Sequence, residues 1–327
     1  MLVPRYGHTA SILNNGKVLV VGGYGHGNIL NSAELYDPTT GLWTPTGNMS
    51  TVRYFHKAST LSNGMVLVAG GVNFNGTLNS AELYDLETGL WTPTDNMNTQ
   101  RSYHTASTLS NGMVLVVGGY DFNGTLNSAE LYDPATGFWT PTGNMNNVRR
   151  LHTASILSNG KVLVVGGYGL NDILNSVEVY DPTTGLWTQT SNMANARWLD
   201  AASVLSNGKV LVVGGYGSNG NLNSAELYDP TTGLWTPTGN LNTERSYHTA
   251  STLSNAKVLV AGGVESSGVS NNTELYDPAT GLWTQIGNMA TARFAHTASI
   301  LNNGKVLIVG GLNFIANDAL NSAEIYG

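Results

Sequence analysis

His104-Thr105-Ala106-Ser107-Thr108-Leu109-Ser110-Asn111-Gly112-Met113-Val114-Leu115-Val116-Val117-Gly118-Gly119 is the stretch that decides the fold. Its first six residues are mostly small or β-branched and read as a short strand. Asn111-Gly112 is a strong hairpin signal, and a type I′ turn with φ > 0 at both central residues is expected. Met113 to Val117 is apolar at every position, which predicts a strand buried on both faces. Gly118-Gly119 ends that strand.

Working outward, a variable loop leads to a third strand, Ser128-Ala129-Glu130-Leu131-Tyr132-Asp133. Asp133-Pro134-Ala135-Thr136-Gly137 is a tight turn, with Pro presetting φ and Gly supplying φ > 0. Phe138-Trp139-Thr140-Pro141-Thr142 is a fourth strand, and its Pro is tolerable at an edge. No helical apolar period appears anywhere.

This unit recurs with a step of 48 residues. Gly-Gly pairs begin at Gly22, Gly70, Gly118, Gly166, Gly214, Gly262 and Gly310. An arginine keeps the same step at Arg5, Arg53, Arg101, Arg149, Arg197, Arg245 and Arg293. The repeats are 1–48, 49–96, 97–144, 145–192, 193–240, 241–288 and 289–327, and they read as one domain, 1–327. A four-stranded meander that is apolar on both faces cannot bury itself, so neighbours must stack on it. The reading is all-β: a seven-bladed β-propeller of four-stranded antiparallel blades. The Trp strand appears only six times, so blade seven is expected to lack its outer strand and to have an edge open to pairing.

Composition narrows the partners. Hydrophobic residues are 41% of the 327, too many for a disordered chain, and net charge is −7 without a basic run. Nucleic acid and anionic membrane are therefore not expected as partners. No signal peptide or membrane-spanning stretch is read, and the compartment stays open between cytoplasm and part of a larger surface protein. There is no cysteine, which excludes disulfides, cysteine metal sites and thiol catalysis. Gly215-Tyr216-Gly217-Ser218-Asn219-Gly220 matches a dinucleotide fingerprint, but another strand follows where a helix is required.

The joint pattern Arg-x-x-His, Val-Leu-Val-x-Gly-Gly, Glu-Leu-Tyr-Asp-Pro and Gly-Leu-Trp resembles the kelch repeat over essentially the whole chain. That resemblance implies a propeller of the galactose-oxidase type, with the His-Thr-Ala-Ser strand innermost and the Trp strand outermost. Galactose oxidase uses copper and a tyrosine crosslinked to cysteine, a cofactor this cysteine-free chain cannot form. Kelch proteins that recruit partners to ubiquitin ligases contact a peptide from positions inside Arg-x-x-His.

What recurs is assigned to structure. Arg and Glu recur seven times each and suggest buried ion pairs between strands or blades. His8, His56, His104, His152, His248 and His296 are assigned to hydrogen bonds between neighbouring innermost strands. What varies lies in the loops after Gly-Gly and in the links before Arg-x-x-His, at one end of each blade. The candidate contacts there are Tyr6, Tyr54, Phe55, Tyr103, Tyr247 and Phe294, with Tyr120, Tyr168 and Tyr216 from the following loops. The sharpest departures are Arg150, Trp198, Leu199 and Asp200, the last replacing the repeated His. The function expected is non-enzymatic recognition of a protein, peptide or glycan, with no cofactor and no metal. The alternatives are a galactose-oxidase-like enzyme fragment or an amplified repeat scaffold without an evolved ligand.

Overall fold

A computed structural model of the chain describes residues 1–314 and 318–327, with the side chain of Asp318 left aside. Blade one consists of Thr9–Ile12, Val18–Val21, Ala33–Asp37 and Leu42–Thr46, hydrogen-bonded in that order as one antiparallel sheet. Blades two to six repeat this four-stranded order. Blade seven has three strands, Thr297–Ile300, Val306–Val309 and Ala323–Tyr326. The fold is the seven-bladed β-propeller that the period predicts. Among the described residues, no helix is long and apolar enough to cross a membrane.

The chain forms two compact units. One is Met1–Thr142 with His296–Gly327, which holds blades seven, one, two and three. The other is Gly143–Ala295, which holds blades four, five and six. The second strand of every blade is fully buried. Side chains alternate along a strand, so each such strand feeds two layers. Leu19 and Val21 pack against Val66, Val68 and Tyr84 of blade two, while Val18 and Val20 pack against Leu301, Leu307 and Val309 of blade seven. In the second unit, Leu163 and Val165 meet Val210, Val212 and Tyr228 in the same way.

Blade seven joins blade one by the contacts that join the other blades of its unit. The Gly311 N–H donates to the Arg5 carbonyl at 2.9 Å, as Gly23 does to Arg53 and Gly71 to Arg101. The Gly-Gly turn admits no side chain at either position. A Cβ on Gly22 would lie 2.7 Å from the Arg53 carbonyl oxygen, and one on Gly23 2.8 Å from that of Tyr6. Both residues also have positive φ, 65° and 96°.

The Asn-Gly hairpin differs from the type I′ expectation. Only the glycine is left-handed: Gly16 has φ 81° and Gly112 has φ 85°, whereas neither Asn15 nor Asn111 has positive φ. Gly16 N–H donates to Leu13 O, and Leu13 N–H donates to Lys17 O. This is the three-residue hairpin, a type I turn closed by a left-handed residue.

The repeated arginine and glutamate form a buried pair in blades one to six. Arg5 Nη2 lies 2.8 Å from Glu34 Oε1, and the other pairs span 2.7–3.0 Å. Arg5 is fully buried, and its Nη1 donates to the carbonyls of Gly22 and Ser32. Glu34 in turn accepts from the N–H groups of Leu2 and Val3. Burial lowers the Arg5 pKa, and the bond to Glu34 opposes that shift.

Glu82→Ala leaves the fully buried Arg53 guanidinium without its carboxylate. Urea unfolding should show a loss of about 3–5 kcal/mol. Removing the part-exposed Lys17 from its contact with Asp37 at 3.4 Å should change little. Equal losses for the two variants would refute a structural role for the buried pair.

Candidate functional site

The loops after Gly-Gly are more ordered than variable loops need be. In blade one, Tyr24–Gly25 pairs with Asn28–Ile29 as a two-residue ladder, and similar ladders follow in other blades. The first loop residue also bridges the residue after the repeated arginine. Tyr6 pairs with Tyr24, Tyr54 with Val72, Ser102 with Tyr120, Arg150 with Tyr168, and Trp198 with Tyr216. Main-chain bonds therefore fix which variable side chains meet.

In the first unit this produces a cluster of five rings. Tyr6 and Tyr24 have centroids 5.6 Å apart, Tyr24 and Tyr54 5.9 Å, and Tyr54 and Phe55 4.7 Å. Phe55 reaches Tyr103 at 4.5 Å. All five side chains are only partly buried. Burial, followed by the neighbouring Tyr54 and Tyr24, raises the Tyr6 pKa. Phe74 and Phe122, at the tips of the adjacent ladders, are 68% and 77% exposed. Tyr120 bridges Ser102, whose hydroxyl donates to its carbonyl.

In the second unit a smaller stack forms around Trp198. The Arg150 guanidinium carbon lies 5.3 Å from the Tyr168 centroid. Tyr168 is 5.4 Å from Trp198, which meets Tyr216 edge-on at 6.2 Å. The Trp198 indole N–H is buried and has no hydrogen-bond partner among the described residues. Leu199 follows with φ 57°.

Two of the expected contact residues are buried. Phe294 is 8% exposed and packs on Tyr247 at 5.7 Å. Asp200 is also 8% exposed and sits where the other blades hold histidine. His8 and His56 bridge blades as the sequence suggests. His56 Nε2 shares a 3.0 Å hydrogen bond with Thr9, and His8 Nε2 shares one of the same length with Thr297. Asp200 keeps this link by accepting from the Thr153 hydroxyl at 3.2 Å. It does not fill the histidine's place. A Cβ on Gly22, Gly214 or Gly310 would meet an imidazole carbon at 2.6–2.8 Å, whereas the three atoms nearest one on Gly166 belong to Arg197 and Met193. The second Asp200 oxygen has no hydrogen-bond partner among the described residues. Asp121, in the loop after Gly118-Gly119, is buried too and accepts from the N–H groups of Asn123 and Gly124.

The sequence reading passed over three features. The second variable residue of Arg-x-x-His is left-handed in every blade: Gly7, Phe55, Tyr103, Leu151, Leu199, Tyr247 and Ala295, with φ between 50° and 62°. Lys57 and Ala201 stand where the other blades place the threonine that meets histidine. Finally, three clefts open at the hairpin ends of the blades. They lie between blades four and five (Asn159, Lys161, Asp181, Tyr228), between one and seven (Lys17, Asp37, Asn302), and between two and three (Ser62, Ser110, Asn111). None of the expected site residues lines them.

Burial raises the Asp200 pKa to about 7, and Arg197 only partly opposes the shift. Folded Asp200 therefore binds its proton more tightly than the unfolded chain does. Its favourable contribution is full below about pH 4 and is lost as pH rises through 7. The buried histidines act in the opposite sense: burial holds His8 at about 3, so its contribution is lost as pH falls from about 6.5 toward 3. The difference between Asp200→Asn and the parent isolates Asp200. The melting temperature of the variant relative to the parent should rise from pH 5 to pH 8, and a difference constant with pH would contradict this.

The comparisons with known proteins agree with this architecture. The KLHDC2/KLHL20/DRC7 Kelch-repeats domain model matches residues 1–146 and 152–325. No curated protein matches the sequence significantly. Among solved structures, a fungal alcohol oxidase of the AA5 family in complex with copper superposes with a TM-score of 0.80 over 99% of this chain and 74% of that one. Sequence identity is 19%, so the likeness is one of fold. The chain belongs to the KLHDC2/KLHL20/DRC7 Kelch-repeats domain family.

Proposed function

We propose that this chain is a non-enzymatic interaction propeller that recognises a protein partner, through an extended peptide segment, at the loop ends of its blades. The observation that carries this reading is the row of left-handed residues inside Arg-x-x-His. Glycine is the least strained residue there, and Gly7 shows that a blade accepts it. Blades two to five nevertheless carry Phe55, Tyr103, Leu151 and Leu199, and blade six carries Tyr247. A non-glycine residue in this conformation costs on the order of 1 kcal/mol. Large, partly exposed side chains kept at such a cost, among them Phe55 and Tyr103 in one cluster with Tyr6, Tyr24 and Tyr54, suit recognition by flat apolar faces. A glycan ring would use the same faces and is the second reading.

The AA5 neighbour invites a copper-radical reading, but the donor set here does not fit that cofactor. There is no cysteine to crosslink. Among the described residues, no three His, Asp or Glu side chains come together as a metal site.

Replacing Phe55 and Tyr103 by glycine removes the faces while relieving the backbone. The double variant should stay folded, with a melting temperature within a few degrees of the parent, and should lose its binding on a peptide and glycan array. Arg150→Ala with Trp198→Ala tests the stack of the second unit in the same assay. Array binding unchanged in both double variants would sink the proposal; glycan rather than peptide hits would favour the second reading.

A further inference from the structure

We propose that the open edge of blade seven, together with blade one, forms a slot for an added strand of the repeat's own outer type, Gly-Leu-Trp-Thr-Pro-Thr. This site lies apart from the aromatic loop ends and does not depend on their role. The third strand of blade seven pairs on one side, Tyr326 with Val306 through Ala323 with Val309. Among the described residues nothing pairs with its other side. Its side chains show the consequence. Ile325 is 47% exposed, whereas Leu35 and Leu83 at the same position pack against core clusters. Ala323 is partly exposed, whereas Ala33, Ala81 and Ala129 are 1% exposed.

Blade one holds the other half of the slot. In four blades, the third-strand tyrosine bonds the threonine of the preceding blade's outer strand. Tyr84 meets Thr46 at 2.8 Å, Tyr132 meets Thr94 at 3.0 Å, Tyr228 meets Thr190 at 3.1 Å, and Tyr276 meets Thr238 at 2.7 Å. The Tyr36 hydroxyl, at the same position in blade one, has no such partner among the described residues. Five outer-strand tryptophans donate their indole N–H to a carbonyl just after that threonine, such as Trp91 to Gly47 and Trp283 to Gly239, each at 2.8 Å. Trp43 has no such acceptor among the described residues. A Cβ on Gly89, Gly137, Gly233 or Gly281 would sit 3.1–3.3 Å from the preceding threonine hydroxyl, yet one on Gly41 would meet nothing within 4 Å. The Gly47 N–H donates to Gly89 O in the neighbouring blade, and among the described residues Gly41 O receives no equivalent.

One outer strand placed on this edge would account for all four differences, and the other blades dictate what it must be. The residue opposite Tyr326 is tryptophan, stacked as Trp43 is on Tyr36 at 4.9 Å. The residue opposite Glu324 can be proline, because it lies on an outer edge. The residue opposite Ala323 is threonine, whose hydroxyl reaches Tyr36. The residue after it donates its N–H to Gly41 O and accepts from the Trp43 indole. The slot thus specifies an extended peptide by main-chain pairing and by one aromatic anchor, the mode of strand addition at a sheet edge.

The test uses the full chain and a fluorescein-labelled peptide with the sequence of residues 37–48, followed by fluorescence anisotropy. Saturable binding is expected, together with a rise in the protein's melting temperature. Trp43→Ala in the peptide should weaken binding about tenfold or more, as for a buried aromatic anchor. Tyr36→Phe in the protein removes one hydrogen bond without disturbing the core and should weaken the parent peptide but not a Thr46→Ala peptide. No saturable binding, or binding indifferent to Trp43→Ala, would overturn the proposal. A dimer that Ile325→Lys splits into monomers would also overturn it, in favour of a second copy at this edge.

Discussion

The buried pair of arginine and glutamate is the interaction on which each blade depends. Half of the chain's 14 basic residues and a third of its 21 acidic residues stand at these two positions. Placing two charges in a dry site is costly unless their remaining donors and acceptors are also met. Here they nearly are. Arg53 binds Glu82, the Gly70 carbonyl and the Ser80 carbonyl and hydroxyl, and Glu82 accepts from the N–H groups of Ser50 and Thr51. One node therefore ties together the incoming link, the Gly-Gly turn and the third strand. Among the described residues, only the Nε–H of Arg53 is left without a partner in this node, as is that of Arg5, Arg101, Arg149, Arg197 and Arg245.

Because that node fixes the link so firmly, the two residues between arginine and histidine need not contribute to holding it. Their main chain is already committed. Phe55 N–H donates to Gly7 O at 2.8 Å, and Tyr247 N–H donates to Leu199 O at 3.1 Å. The bond works with any side chain, provided the backbone turns left-handed. This explains how glycine, alanine, leucine and three aromatic residues can share one position. The freedom lies in the side chain and the constraint in the backbone.

The sequence made the repeat legible because every recurrent feature is local. Strand, hairpin, Gly-Gly and tight turn each fall within one unit of 48 residues, and the matched numbers of Arg and Glu exposed their pairing. What stayed hidden depends on contacts between units. Phe55 and Tyr103 are 48 residues apart, yet their rings stack at 4.5 Å, closer than any pairing around Trp198. The sequence drew attention to Trp198 because it breaks the pattern, whereas the larger cluster arises from residues that each look ordinary. The burial of Asp200 and Phe294 was hidden for a related reason. Both follow the repeated arginine closely, but the first points inward as the histidines do and the second folds under Tyr247. The hairpin was misjudged because Asn-Gly serves two turn types, and only backbone angles tell them apart.

Positions where side chains make the blade-to-blade contact behave differently from those where main chain does. Where histidine meets threonine, a change on one side bears on its neighbour. Asp200 still reaches Thr153, but it leaves the space beside Gly166 and one unpartnered oxygen. Ala201, the next residue, has no hydroxyl to offer the following blade. Two departures from the repeat thus fall side by side on one first strand, Ala201–Val204 with the residue before it. The same region carries Trp198 and its buried, unpartnered N–H. Blade five thus gathers two buried polar groups, the Trp198 N–H and one Asp200 oxygen, that no other described residue meets. Lys57 makes the same kind of exchange in blade two, so the link between histidine and threonine yields to substitution where the main-chain links do not.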